Sequence, residues 1–552
     1  MFPLMAACGA MMALSCAPSA QTASTVELTT VGNPYLPLWE HIPDGEPYVF
    51  EDPDQPGKLR VYVYGSHDVI KTDYCGRDQV VWSASVDSLN RWRYDGVILV
   101  VDKNAKGEPF DAAGTADVLF APDVTLVTAP SASGKAGDGA KTYYLFPNDQ
   151  TGYRNGLIAK SDRPDGPFEV CNWNADNPNQ VDGIYGFDPA VFVDDDGRVY
   201  GYWGFEHSYA AEIDPATMCT VKPGTKIVDG MVSGRNEPGK FRFFEASSIR
   251  KIKDKYVFIY SRWTEPGEFG LPDTNYTLAY AYSDKPLGPW TYGGTIIDGR
   301  GREVNEQGDT IASGVVSGNT HGSICEIKGQ WYVFYHRQAG LNEFARQAMV
   351  APIEVKVEEG PGGKVEISEG EYNSEGFALD GLNPQERHSA GLACWTTGPK
   401  VAEHNWPNNV FYGSYVETSY GTDTNFEAPY DLKNNSNRVV NNTDGSIVGY
   451  KYFNFSAMNG GSKSPRLLLR LIPEGVDGTI TIMADRPWTS QGGKVLGTIE
   501  LKANMPQTST ELSVELPALA ELTGKHALFF TFASDTKEQS LCKLEDFVFE
   551  ME

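Results

Sequence analysis

Positive charge is scarce in this chain of 552 residues: 46 Lys and Arg stand against 73 Asp and Glu, a formal net charge of -27. Nucleic acid and anionic membrane surfaces are repelled by such a chain, whereas a neutral ligand is indifferent to it. Cysteine is scarce as well. Of eight, Cys8 and Cys16 lie near the N-terminus; Cys75, Cys171, Cys219, Cys325, Cys394 and Cys542 form no CxxC pair and no zinc-like spacing. That pattern favours buried free thiols, with one or two disulfides as the alternative, over a catalytic thiol. Beyond the first twenty residues, no segment approaches the roughly 18 uninterrupted apolar residues that a transmembrane helix needs. Gly-rich phosphate loops, nucleophile elbows and HExxH motifs are missing too, so kinase, serine-hydrolase and zinc-protease chemistry lack local support.

What the chain has in quantity is aromatic residues and turn formers: 28 Tyr, 26 Phe and 11 Trp alongside 57 Gly and 34 Pro. Aromatic strands punctuated by turns make a β-rich protein, and the length predicts two or three domains. Residues 1–20 (MFPLMAACGAMMALSCAPSA) are apolar and small and read as a secretory signal peptide. They carry no Lys or Arg, and Ala13-Leu14-Ser15-Cys16 is an imperfect match to a lipoprotein cleavage box. The expected location is secreted, periplasmic or cell-surface, with a lipid anchor at Cys16 as an alternative.

Five aromatic strands resemble one another: RVYVYGS from Arg60, KTYYLFP from Lys141, RVYGYWG from Arg198, KYVFIYS from Lys255 and QWYVFYH from Gln330. A second unit recurs between them, SDRPDGPF from Ser161 and SDKPLGPW from Ser283, with SVDSLNRW from Ser85 as a looser copy. Strand groups recurring without helical periodicity are the signature of propeller blades. The sequence therefore predicts an all-β fold: a five-bladed β-propeller over residues 30–360, its last blade closed by Val355 to Gly370 against the N-terminal strand. Alternating strands over residues 375–552, among them LLLRLI, TITIMAD and HALFFTFA, predict a separate β-sandwich of jelly-roll type.

Four acids sit beside sharp turns at comparable places in their blades: Asp44 in IPDGEPY, Asp123 in APDV, Asp188 in GFDPA and Glu245 in FFEASS. Each precedes an aromatic strand, so blade convergence would bring them to one end of the axis. Hydrolysis of a glycosidic bond needs a carboxylic acid to protonate the leaving oxygen and a carboxylate to activate water or attack. A third carboxylate raises the acid's pKa by repulsion. Asp-Pro and Asp-Gly are also ordinary turn pairs, so each acid taken singly has a purely structural alternative.

The ordered set NPYLPLWEHIPDGEP, APDV, GFDPAVFVDDDG, FFEASSIRKI and NTHGSI resembles glycoside hydrolase family 43. The resemblance implies an exo-acting, inverting glycosidase with Asp44 as general base, Asp188 as pKa-modulating carboxylate and Glu245 as general acid. Because this sequence has PDGEP where many relatives have Asp-Pro, Glu46 is a fallback base. Asp123 is expected to bind a substrate hydroxyl; Arg337 is expected to bind one or to pair with the carboxylate cluster, with a plain surface role as alternative. His67 and Asp68 are weaker candidates for the rim. His321 matches a histidine that in the family often helps to hold a hydrated ion, commonly calcium, near the axis, with a hydrogen-bonded core histidine as the alternative and either favoured over proton transfer; no organic cofactor is implied. The expected partner is an arabinose- or xylose-containing glycan, cleaved by an α-L-arabinofuranosidase first, with β-D-xylosidase, galactofuranosidase or endo-arabinanase activity, or a non-catalytic sugar-binding role, as alternatives. The C-terminal segments DGSIVGYKYF, TGKHALFFTF and LEDFVFE resemble family 6 carbohydrate-binding modules. Trp488, Tyr450 and Tyr452 are its candidate sugar contacts, with core packing as the alternative for each.

Overall fold

The computed structural model describes residues 26–70, 72–130, 139–418, 437–459 and 464–552; the expected signal segment 1–20, Cys16 included, lies outside them. The described chain is all-β, with strands and short 3-10 turns and no α-helix. Among the described residues no helix is long and apolar enough to cross a membrane.

Five antiparallel sheets follow one another along the first part of the chain. The first holds Glu46–Glu51, Leu59–Tyr64, Gln79–Ser85 and Arg91–Leu99, with Val26–Thr29 paired outside the last. The second runs from Leu119–Thr128 through Lys141–Asp149, and the third from Ala190–Val193 through Val199–Gly204. Phe243–Ile252 and Lys255–Arg262 open the fourth; Ser323–Ile327, Gln330–Gln338 and Arg346–Ile353 form the fifth. The five aromatic repeats are thus the second strands of five sheets. Their aromatic and β-branched side chains suit a pleated surface buried on both faces. At the Asp196-Gly197 turn between two strands of the third sheet, Gly197 takes the left-handed backbone (φ 80°) that the tight reversal requires.

Each neighbouring pair of sheets shares one apolar cluster. Tyr62 and Tyr64 pack on Val124 and Leu145; Phe146 and Ile158 on Val191 and Trp203; Tyr202 on Phe243 and Phe258. Val257 and Ile259 pack on Val333 and Met349, and Phe334 and Val350 return to Val61 and Trp82 of the first sheet. The sheets therefore close into a ring, and their first strands meet around its centre. Closure is made by the N-terminal segment: Gly45 bridges Gly322, and Asn33 exchanges two hydrogen bonds with the backbone of Val350. The expected closure by Val355 to Gly370 does not form. Val355–Val357 and Val365–Ile367 pair only with each other, and their apolar faces join the cluster between the fourth and fifth sheets instead.

Beyond residue 388 two further sheets enclose a common core. One contains Pro465–Pro473 and Cys542–Met551, the other Ile447–Asn454, Gly478–Ala484 and Lys525–Ala533. Pro465–Pro473 alternates buried and half-buried residues without a break, and Leu467, Leu469 and Leu471 meet Ile480, Ile482, Phe530 and Phe532. Tyr450 lies in this core, its hydroxyl donating to the Ala390 carbonyl, which removes it from any sugar-binding face. All six described cysteines are unpaired.

Leu469→Ala should cost about 2–5 kcal/mol through the cavity left between the two sheets, measured as a lower denaturation midpoint. A loss below about 1 kcal/mol would mean that the sheets do not depend on this shared core.

Candidate active site

The first strands of the sheets carry the acids because their backbones turn sharply at the rim of the ring. Asp44 and Asp188 adopt left-handed φ angles of 60° and 47°, each two residues before its strand, and Ala246, directly after Glu245, has φ 69°. Such angles are uncommon for residues other than glycine. Glu245 also sits between two register shifts in its strand pairing, a bulge that re-aims a side chain toward the ring centre. The three carboxylates line one cavity of about 640 Å³ together with Phe187, Trp263 and Arg346, and all three are buried.

Their surroundings differ. Arg346, 2% exposed, donates from Nη1 to Asp44 Oδ1 at 3.0 Å. The Ser66 hydroxyl donates to Asp44 Oδ2 at 2.6 Å. Burial alone would raise the Asp44 carboxyl, but the Arg346 charge and these contacts bring it below its ordinary value. The other side of the guanidinium forks onto Asp68 through Nε and Nη2, both at 2.9 Å. His336 receives the Asp44 backbone N–H at Nδ1 (3.3 Å) and faces the Asn319 carbonyl at 2.9 Å through Nε2. Those partners require the neutral tautomer protonated at Nε2, and burial, with Arg346 nearby, lowers this imidazole to about 3.

Asp188 accepts from Asn148 Nδ2 at 2.7 Å and faces His321 Nδ1 at 3.5 Å. Glu245 has no cation as close. Burial, then repulsion from Asp188, push its carboxyl well above the ordinary range. One carboxylate held ionised beside one held protonated is the division of labour that acid–base hydrolysis uses.

Several residues expected at the site stand elsewhere. Asp123 is buried away from the cavity: Tyr48 donates to its Oδ1 at 2.6 Å and the Val191 N–H to its Oδ2 at 2.7 Å. Burial raises it to about 7, and both oxygens are engaged within the ring. Arg337 is a correction as well. It is buried, forks onto Gln347 Oε1, and donates to the carbonyls of Ala393 and Gly391, pinning the ring to the chain that enters the C-terminal sheets. Strand alternation explains the error, since Arg337 faces outward on its strand while the arginine of the cavity is Arg346 on the next. Glu46 pairs with Arg250 at 2.8 Å and is not part of the cavity lining. His67 and Asp68 are buried rather than at the rim: His67 faces Asp78 at 3.0 Å, and Asp68 holds Arg346.

For a metal ion, the donors are few. Among the described residues no three His, Cys, Asp or Glu side chains are grouped to hold one. His321 lies at the ring centre with Nε2 buried and lacking a hydrogen-bond partner. Calcium prefers six to eight oxygen ligands, so these residues do not suit a directly caged ion; they suit a hydrated ion touching His321.

Residues 63–361 match the profile of Glycosyl hydrolases family 43. The chain belongs to this family. A xylosidase/arabinosidase of Thermoclostridium stercorarium is 31% identical over 92% of this chain and 98% of its own length. An arabinoxylan arabinofuranohydrolase of Paenibacillus polymyxa is 29% identical over 64% of this chain and 53% of its own. Among solved structures, a family 43 arabinoxylan arabinofuranohydrolase from Bacillus subtilis in complex with cellotetraose covers 95% of this chain and 99% of its own, at 21% identity and a TM-score of 0.43. Membership of family 43 makes the protein a glycosidase.

Two features of the family 43 cavity here had no sequence signal. Arg346 stands in no recognisable motif. Trp406 and His404 reach the cavity from a hairpin (Glu403–Asn405 with Asn408–Val410) beyond the ring.

Arg346→Met should remove both the charge that depresses Asp44 and the fork that holds Asp44 and Asp68 together. The acid limb of the kcat/KM–pH profile should then move to higher pH, because the folded Asp44 loses what depresses its pKa. An unmoved limb would remove Arg346 from control of Asp44.

Proposed function

We propose that the protein is an exo-acting, inverting glycosidase that removes terminal α-L-arabinofuranosyl groups from a plant or microbial polysaccharide. The observation that carries this reading is the pairing, in one buried cavity, of a carboxyl lowered by Arg346 with a carboxyl raised by burial and Asp188. In this reading Asp44 accepts a proton from water, which attacks the anomeric carbon as the glycosidic bond breaks. Glu245 gives its proton to the leaving oxygen, and Asp188 keeps Glu245 protonated until then. The arabinose preference rests on the relatives named above; xylosidase activity is the second reading, because the Thermoclostridium stercorarium relative carries both names.

The ring of sheets is proposed as a five-bladed β-propeller occupying residues 30–360, and residues 375–552 as a jelly-roll sandwich related to family 6 carbohydrate-binding modules. Export, to the periplasm, cell surface or medium, is favoured by the apolar N-terminal segment and by a polymeric substrate. Calcium is proposed to act only as a hydrated, supporting ion against Nε2 of His321. Burial would lower that imidazole, but Asp188 raises it to about 9, so proton and cation compete for the ring.

Glu245→Gln should lower turnover of unactivated arabinosides by about 10² to 10⁴ fold. It should also abolish the alkaline limb of the rate profile, which marks loss of the Glu245 proton. Initial rates on aryl α-L-arabinofuranoside, β-D-xyloside and β-D-galactofuranoside, compared with this variant, test the reading. A variant as fast as the parent on an unactivated substrate would remove Glu245 as the acid. Treatment with a chelator should lower the melting temperature while leaving measurable turnover. Complete loss of activity, restored by calcium alone, would overturn the supporting role.

A further inference from the structure

The carboxylate cavity has two unlike walls. Phe187 and Phe205 flank strands of the third sheet, and Phe244 and Trp263 lie in or directly after strands of the fourth. All four line the cavity. Their rings follow one another with centroids 4.9, 5.2 and 5.5 Å apart, an aromatic wall beside Glu245. Toward the junction of the first and fifth sheets, on the side of Asp44, the wall is polar. Tyr74 comes from the loop between Leu59–Tyr64 and Gln79–Ser85 of the first sheet. Glu343 comes from the loop between Gln330–Gln338 and Arg346–Ile353 of the fifth.

Glu343 is 3% exposed, a buried carboxylate of this cavity with no part in the acid–base step. The Tyr74 hydroxyl donates to its Oε2, and His404 Nε2 faces its Oε1 at 3.3 Å. The Arg346 guanidinium lies over the Tyr74 ring at 4.8 Å, so Asp44, Arg346, Tyr74 and Glu343 follow one another along the wall. Arg346 itself is engaged by Asp44 and Asp68. Burial raises the Glu343 carboxyl, and its polar contacts act against that. A buried carboxylate is costly unless its oxygens are hydrogen-bonded. Those oxygens offer about four acceptor positions, and Tyr74, His404 and the Trp406 indole N–H do not fill them. Acceptor capacity therefore remains at a group that lines the cavity.

We propose that Glu343 is a specificity-determining residue of the carboxylate cavity, accepting a hydrogen bond from one hydroxyl of the terminal sugar. The general acid meets the leaving oxygen, so the aromatic wall around Glu245 faces the leaving group. The terminal sugar, attacked by water from the Asp44 side, lies toward Tyr74 and Glu343. A fixed acceptor there selects sugars by where a hydroxyl stands, because a sugar lacking it leaves a desolvated carboxylate unmatched. This role rests on the glycosidase reading, with Asp44 as base and Glu245 as acid, and extends it from bond cleavage to the choice of terminal sugar.

The test uses aryl α-L-arabinofuranosides lacking the 2-, 3- or 5-hydroxyl, each compared with the complete sugar on the parent and on two variants. Glu343→Ala removes the acceptor; Glu343→Gln keeps its size without its charge and is the variant to read if the first lowers the melting temperature. In the parent, loss of the hydroxyl that Glu343 holds should lower kcat/KM about 10 to 100 fold, the scale of one hydrogen bond to a charged group. That penalty should disappear in Glu343→Ala and shrink in Glu343→Gln to about 2 to 10 fold, the scale of a neutral hydrogen bond. Penalties at the other two positions should stay as they are. A carboxylate that only props the wall would slow all four substrates alike and leave every penalty in place, which would overturn the proposal. The corresponding aryl β-D-xylosides serve if the parent prefers that sugar. A parent that turns over neither sugar overturns the glycosidase reading and this role with it, whereas turnover with unchanged penalties overturns this role alone.

Discussion

The arrangement turns on one buried guanidinium. Arg346 lies between Asp44 and Asp68 with almost no exposure, where an uncompensated charge would cost several kcal/mol. Its two partners flank the first two strands of the first sheet, Glu46–Glu51 and Leu59–Tyr64, and its own strand belongs to the fifth, so satisfying the charge also helps to bring the two ends of the ring together. Arg250 does something similar beside the ring centre, joining Glu46 of the first sheet to the fourth. The carboxylate cavity and ring closure are therefore not separate achievements. Loosening either would expose charges that the other needs paired.

The same economy governs the acids. Glu245 is kept protonated by burial and by Asp188, while Asp44 is kept ionised by a cation that Glu245 lacks nearby. Identical chemistry in two residues is separated by what stands a few ångströms away. The C-terminal sheets take part through two contacts of different kinds: Arg337 ties the ring to the Gly391 and Ala393 carbonyls, and the Trp406 hairpin reaches the cavity itself. A region that looks like an appendage in the linear chain thus helps to wall the site.

Much of this was legible before any coordinates. The aromatic repeats marked the second strand of each sheet, because strands buried on both faces need large apolar side chains and tight turns between them. The acids in the turn-like segments IPDGEPY, APDV, GFDPA and FFEASS marked the rim, and three of them meet in one cavity. Asp123 shares the motif style but not the destination: its oxygens face Tyr48 and the Val191 amide. Arg337 and Arg346 are equally arginine-like in sequence. Alternation along two adjacent strands sends one toward the C-terminal seam and the other toward the acids, and no local signal distinguishes them.

By itself, then, the order of residues determined an all-β chain, the succession of similar strand groups, and the turn-borne acids able to divide acid from base work, since periodicity, turn chemistry and side-chain type are local properties. Which cation faces which carboxylate, how the ring closes, and which stretch beyond it joins the site were decided only in three dimensions. Those outcomes depend on contacts between residues hundreds of positions apart, such as Asp44 with Arg346, where burial converts proximity into charge state.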